Sequence, residues 1–557
     1  MDEALGKMAL VAYIGGMDSL THVPAPYNEP VRSYAPGTPE REAVEAQLNH
    51  YLSQGPVGLA GMYDTRRSSS GEMIEVTMPS DRHHVLGRIA QTTKQDAALA
   101  VETACAAQAE WAGLDFDSRA AVFLRAADLI TGPYRAKMNA ATMLGQGKTI
   151  QQAEIDAVCE LSDFLRFNVA YAQVIHAIQP ESVPGTWNRA DYRPLEGFVY
   201  AITPFNFTSI AGNLPTAPAV MGNVAVWKPA VTQQFAASVF MDVLEEAGLP
   251  AGVITMVPGH GSDVSDVLLA DPRLAGIHFT GSTRVFQGLW AHVGAHIADY
   301  RTYPRIVGET GGKDFILAHP SADRAGTISA LVRGAFEYSG QKCSAASRAY
   351  IPRSLWASIK DELVDLVSSL AVGPVEDFHS FTSAVIDQRA YAKLVGAIEA
   401  ARASASCEIV VGGTYSDETG WFVDPTIVVA TDPAWQGFTT EYFGPLLTVY
   451  VYEDSEWEST LKLVNETSPY ALTGSVLSLD RKAVAQAEKA LRQAAGNFYI
   501  NDKPTGAVIN QQPFGGARAS GTNDKAGSVW NMIRWTSPRS IKEATAIPTA
   551  IAYPNMA

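Results

Sequence analysis

From about residue 197 onward, short runs of consecutive apolar residues alternate with stretches whose apolar positions recur every three or four residues. The runs are Phe198–Ile202, Val224–Lys228, Val253–Val257, Gly276–Thr280 and Arg305–Val307, and each predicts a strand. Between the second and third, Thr232–Ala247 predicts a helix. Thr232 would be its N-cap, Phe235, Val239, Val243 and Leu244 would share one face, and Gly248 would end it. Strands apolar on both faces and separated by helices imply an α/β fold of parallel units covered on both sides. A second alternating series runs from Ser347 to about 500, with Leu355, Ile359, Leu363, Leu366 and Leu370 on one helical stripe. Upstream, residues 93–175 read as Ala-rich helix; Val122, Phe123, Ala126 and Leu129 are spaced for one face. Residues 1–60 are rich in Pro and Gly and read as an irregular arm. The pattern predicts two α/β domains with a hinge near Gly311-Gly312.

Length supports this division, because 557 residues exceed what one core usually holds. The net charge of −16 disfavours nucleic acid as a partner, since phosphates select basic surfaces. No apolar run has the ~18–20 residues a membrane span needs. The apolar segment Met8–Ile14 follows Asp2 and Glu3, the wrong charge for a secretory signal. The four cysteines are far apart and form no C-x-x-C pair, so free thiols and a cytoplasmic location are expected.

Some motifs fail on inspection. Gly147-Lys148-Thr149 resembles the end of a phosphate loop, but position 142 is Thr where that motif needs Gly. His292 and His296 have metal-pair spacing but lack a following Glu and a third ligand, so no metal is expected. No G-x-G-x-x-G follows any strand. Four segments carry chemistry instead. Gly340–Ser344 sets Cys343 among small and polar residues, and Val307–Lys313 sets Glu309 at a strand end beside glycines. Thr203–Phe207 puts Asn206 at a strand-to-helix junction, and Glu441–Pro445 adds a carboxylate in a loop. Together they supply a thiol nucleophile, a carboxylate base and an amide donor for an oxyanion.

The motifs P-F-N (204–206), W-K-P (227–229), F-T-G-S (279–282), E-T-G-G-K (309–313), G-Q-K-C (340–343) and E-Y-F-G-P (441–445) occur in order. On these the chain resembles the aldehyde dehydrogenase superfamily over roughly residues 60–540. Residues 153–161, 198–218, 495–507 and 512–525 further resemble its pyrroline-5-carboxylate (glutamate-semialdehyde) dehydrogenase branch, in the monofunctional form. The resemblance implies a Rossmann-like NAD-binding domain (1–178 and 197–310), a catalytic domain (311–534) and a small β flap for homo-oligomerisation (179–196 and 535–557). It implies NAD-dependent oxidation of glutamate semialdehyde to glutamate. A different small carboxylated aldehyde, or a noncatalytic relative, are the alternatives.

By the same resemblance, Cys343 is the nucleophile, Glu309 the water-activating base, and Asn206 an oxyanion donor. Thr203, Pro204, Phe205, Lys228, Gly281, Ser282, Glu441 and Phe443 line NAD. Glu160, Phe207, Ser344, Gly506, Ala507 and Phe514 bind substrate, with Glu160 meeting an ammonium and the Gly506–Ala507 N–H groups a carboxylate. The sequence departs from the wider superfamily at Phe286, where a Gly is usual, and at Val231, where a Glu often selects against a 2′-phosphate. Within the branch it has Ala507 in place of Ser.

Overall fold

The computed structural model describes residues 21–63, 67–68 and 70–556. The Met8–Ile14 segment lies outside them. Five expected strands form the body of a seven-stranded sheet ordered Arg305–Glu309, Leu274–Thr280, Phe198–Ile202, Val224–Lys228, Ile254–Met256, Gly61–Met62, Arg67–Ser68. The first five are parallel. Alternate residues feed different cores, as two covered faces require. Phe198, Tyr200, Val224 and Val226 join one cluster, while Val199, Ala201, Ala225 and Trp227 join the other.

A second seven-stranded sheet runs Cys407–Val411, Thr426–Ala430, Leu446–Tyr452, Ala346–Pro352, Asp314–Ala318, Thr473–Leu477, Asn497–Ile500. It is parallel except at the Cys407–Val411 edge. Here too Ile316 and Ala318 face one core, and Phe315 and Leu317 the other. Gly311-Gly312 falls between the last strand of the first sheet and the first strand of the second.

Three expectations need correction. Residues 1–60 are not all irregular, because Pro39–Ser53 is a helix with Pro at its first turn and Val44 and Leu48 buried. Thr232 does not cap the next helix. It lies in a short 3₁₀ turn, and the α-helix starts at Gln234 and ends, as expected, on left-handed Gly248. In the Arg353–Ser368 helix, Val367 rather than Leu366 completes the buried stripe, and Leu366 is exposed. The helical reading of 93–175 holds, with helices Lys94–Gly113, Phe116–Thr131, Arg135–Gln146 and Leu161–His176.

Between the last two of these helices, Glu154–Glu160 forms a π-helical turn, an uncommon geometry that favours functional positions. Gly147, left-handed, ends the preceding helix, and Lys148 turns inward. Its Nζ lies 2.7 Å from Asp156 Oδ2, with both side chains buried. The Thr208 and Ser209 N–H groups also donate to Asp156, at 2.9 and 2.8 Å. One carboxylate therefore satisfies two of the orphan donors of the Thr208–Val220 helix and the buried amine together. No helix of the described residues is long and apolar enough to cross a membrane. A separate ribbon pairs Thr186–Arg193 with Ser537–Ala544, and Val183, Trp187 and Ile547 around it are exposed.

Asp156→Ala would strand a buried ammonium and uncap a helix, so it is expected to cost about 3–5 kcal/mol. Equilibrium denaturation checks this; a loss below about 1 kcal/mol would show that water replaces the carboxylate.

Candidate active site

In the parallel part of the first sheet the chain starts at Phe198–Ile202, adds strands on one side, then returns to add Leu274–Thr280 on the other. The loops after these two neighbouring strands open a crevice at the carboxyl edge, where parallel sheets bind ligands. Thr203–Phe207 and Gly281-Ser282 are those loops. Register pairs Ile202 with Lys228 and Thr280 with Glu309, so four of the sequence motifs share one edge. Ser282 caps the helix that follows by accepting from Val285 N at 3.4 Å. Phe286 stacks on Phe279 and covers Gly308, where a Cβ would overlap its ring. That explains why Phe stands at this position without loss of packing.

Cys343 is carried by a constrained loop. Tyr338, Ser339 and Gly340 have φ of 54°, 51° and 63°, a left-handed run that two non-glycine residues hold at an energetic cost. Tyr338 donates to Gln146 O at 3.0 Å, and Ser339 N donates to Thr382 Oγ1 at 2.7 Å. Lys148 Nζ sits 3.9 Å from the Phe207 ring centre and 4.6 Å from that of Tyr338, so the buried pair braces both the Asn206 loop and the Cys343 loop. Asn206 Nδ2 donates to Gln341 O at 3.0 Å, which ties these two loops directly.

A cavity of about 260 Å³ brings together Cys343, Glu309 and all six residues expected at the substrate: Glu160, Phe207, Ser344, Gly506, Ala507 and Phe514. Asn206 lies beside it rather than in its lining. Glu309 accepts from Gly516 N at 2.9 Å, and burial holds its carboxyl well above the usual range, against the pull of Lys525. Burial also raises the Cys343 thiol, reinforced by the carboxylates of Asp314, Glu309 and Glu441. Ser344 does not offer a free hydroxyl; its Oγ is 2.8 Å from Thr505 Oγ1 and ties down the loop ahead of Gly506. Gly506 has φ +96°, and neither its N–H nor that of Ala507 has a protein acceptor among the described residues. Glu160 is not a solvated surface carboxylate. Burial, then the charge of Asp156, push it up to about 8 despite Lys148.

Of the residues expected along NAD, Thr203, Pro204, Phe205, Lys228, Gly281 and Ser282 lie at the carboxyl edge of the first sheet, and Glu441 and Phe443 lie in a loop of the second half. Glu441 and Phe443 share a small cleft with Cys343, Gly312 and Lys313, so Cys343 faces both spaces. Glu441 accepts from Gly312 N at 2.8 Å, and a Cβ on Gly311 would collide with its carboxylate. Phe443, at φ 61°, meets Phe205 edge-on at 5.8 Å. Burial lowers Lys228 to about 8, and among the described residues its one acceptor is the adjacent Pro229 carbonyl at 3.2 Å. A buried amine with donors to spare, an acidic acceptor and exposed helix N–H groups fit a ribose and a pyrophosphate.

Sequence reasoning missed several groups here. Lys342 is buried on Glu337 at 3.1 Å and lines the cavity with Arg333 and Lys503. Lys313 is buried beside Glu441, and desolvation lowers it to about 7. In the sequence Lys148 stood only in the rejected Gly147-Lys148-Thr149 motif and Asp156 only within the 153–161 resemblance, with nothing to pair the two. His292 and His296 stack at 4.3 Å, and His296 Nδ1 meets the carbonyl of His292.

Glu160 gives a testable pH dependence. Its unfolded carboxyl ionises near 4.5 and its folded one near about 8, so the unfolded chain sheds a proton that the fold retains. Its contribution to stability therefore falls as pH rises through that window. Glu160→Gln is expected to raise the melting temperature at pH 8, by an amount that shrinks towards pH 5. A gain equal at both pH values would contradict a protonated Glu160.

Comparison with known proteins agrees with this geometry. Residues 66–541 match the pattern of the aldehyde dehydrogenase family. The mitochondrial delta-1-pyrroline-5-carboxylate dehydrogenase of Dictyostelium discoideum is 49% identical over 538 residues, covering 96% of this chain and 96% of that protein. The human mitochondrial enzyme of that name is 47% identical over 517 residues, covering 93% of this chain and 92% of its own. A crystal structure of the Mycobacterium tuberculosis delta-pyrroline-5-carboxylate dehydrogenase bound with NAD superposes with a TM-score of 0.94. It is 56% identical and covers 97% of this chain and 100% of that one. With the Cys343 thiol and the Glu309 carboxylate lining one cavity, the Asn206 amide beside it, and this extent of likeness, the chain belongs to the aldehyde dehydrogenase family.

Proposed function

We propose that this protein oxidises L-glutamate γ-semialdehyde, the open form of 1-pyrroline-5-carboxylate, to L-glutamate in proline breakdown, with NAD as acceptor. The observation that carries the reading is the polarity of the cavity around Cys343. Glu160 offers an acceptor for an ammonium. Across the same space stand two unused N–H groups at Gly506 and Ala507, with Lys342 and Lys503 nearby. An aldehyde that is also an α-amino acid satisfies both. The names of the relatives and the NAD-bound structure support it.

Cys343 is the nucleophile. Its raised thiol gives up a proton to solvent before it attacks, and Glu309, itself shifted upward, stays in the same cavity for the later hydrolysis. Sulfur attacks the aldehyde carbon, and the remaining Asn206 N–H with the Cys343 N–H holds the oxyanion. NAD, when bound, supplies the two-electron acceptor that converts the thiohemiacetal to a thioester. Lys228, Ser282, Glu441 and Phe443 would hold it. Glu309 then takes a proton from water, and the hydroxide releases glutamate and the thiol.

The fold is read as the two expected domains, divided at Gly311-Gly312, plus the Thr186–Arg193/Ser537–Ala544 ribbon as a contact for a second copy. The exposed apolar residues of that ribbon favour a homo-oligomer. The four free thiols suit a reducing interior such as the cytoplasm; the Dictyostelium and human relatives carry the mitochondrial designation.

NADH formation from pyrroline-5-carboxylate should exceed that from propanal by about 10- to 100-fold or more in kcat/KM, since propanal leaves buried donors unpaired. Equal values would remove the substrate assignment while leaving an aldehyde dehydrogenase. Glu309→Gln should give a burst of NADH followed by a slow steady state, because a carboxamide cannot deprotonate water. If the burst itself is slowed as much as turnover, Glu309 serves the thiol instead.

A further inference from the structure

The substrate loop is held by a segment that precedes the family match, which begins at residue 66. Asn28 reaches two elements at once. Its Nδ2 donates to Asp163 Oδ2 at 2.8 Å, on the helix that continues from Glu160, and to Ile509 O at 3.0 Å, two residues beyond Ala507. Its Oδ1 accepts from Gln511 Nε2 at 3.1 Å. The segment carrying it is itself fixed by buried ions. Glu29 bridges Arg135 at 2.8 Å and Arg166 at 3.0 Å, its N–H donates to Asp163 at 2.7 Å, and Tyr34 donates to Glu154 at 2.7 Å. Between the two anchors Val31 is about half exposed and forms part of the cavity lining near Ile155 and Val508.

We infer that the arm at Asn28–Tyr34 is a specificity element, in which Asn28 is a positioning residue that sets the Gly506–Ala507 carboxylate site against Glu160, and Val31 walls the cavity mouth. The inference rests on the substrate reading above. Glu160 and the Gly506–Ala507 loop lie on segments some 350 residues apart in sequence, and their separation must match the distance between the ammonium and carboxylate of one small molecule. A polar side chain bonded to both supporting elements fixes that separation. The strength of the ion pairs beneath it explains why an arm of irregular backbone can do so: Glu29 is shared between two guanidinium groups, both buried. The bland alternative is a clasp that only adds stability.

Substrate selectivity separates the two. Wild type, Asn28→Ala and Val31→Trp are assayed with pyrroline-5-carboxylate and with propanal, and their melting temperatures are measured. Losing the Asn28 bonds should raise KM for pyrroline-5-carboxylate about 3- to 10-fold, the worth of a typical hydrogen bond, with the propanal KM within about twofold. Val31→Trp should raise KM for the larger substrate more than for propanal. Equal changes for both aldehydes, or a lower melting temperature with unchanged KM values, would overturn the inference and leave a structural clasp. Should the Asn28 variant fail to fold, the Val31 variant decides alone, since its side chain supports no buried bond. A wild type that does not prefer pyrroline-5-carboxylate would count against the substrate reading instead, and with it this inference.

Discussion

The Thr208–Val220 helix begins on a carboxylate that has no solvent around it, and the candidate site depends on that arrangement. Asp156 takes two N–H groups of the helix and the Lys148 ammonium. Burying two ions is costly, and mutual pairing with added hydrogen bonds offsets it only in good geometry. The arrangement persists here because each partner does a second task. Lys148 lies against both Phe207 and Tyr338, so the loops bearing Asn206 and Cys343 share one support. Asp156 sits in the π-helical turn that ends with Glu160, so the same pair sets the acidic end of the substrate cavity.

Around that support the electrostatics are deliberately unfavourable to charge at rest. Cys343, Glu309 and Glu160 are all pushed towards their neutral forms, mainly by burial. Neutral groups tolerate an enclosed cavity; an ammonium beside Glu160, or a cationic ring beside Cys343, would draw the anions out. Nearby amines are pushed the opposite way, Lys313 to about 7 and Lys228 to about 8, again by desolvation. The site is therefore poised so that ligand charge, rather than solvent, selects its protonation states.

Much of the fold was legible. Strands buried on both faces announce themselves as continuous apolar runs: of the five runs before Gly311, Phe198–Ile202 and Val224–Lys228 agree with the observed strands at both ends, and the other three differ only at their ends. The Thr232 cap failed because a 3₁₀ turn takes up Val231–Gln233, so the α-helix begins two residues later at Gln234. Leu366 failed because helical phase, not hydrophobicity, selects the buried stripe, and Val367 lay closer to it. In the site, residues in ordered motifs could be named in advance. Those that act through a partner distant in sequence could not: Lys148 and Asp156, Lys342 and Glu337, and Asn28 gain meaning only when the fold supplies the other half.

In the proposed mechanism Cys343 alone carries the substrate through a thioester. The most direct measurement is to quench the enzyme during turnover of pyrroline-5-carboxylate with NAD, digest it and read the masses of the four cysteine peptides. A glutamyl group is expected on the Cys343 peptide, removed by hydroxylamine, with Cys105, Cys159 and Cys407 unmodified. A glutamyl group on one of those three, or turnover that survives Cys343→Ala with no acylated peptide at all, would contradict it.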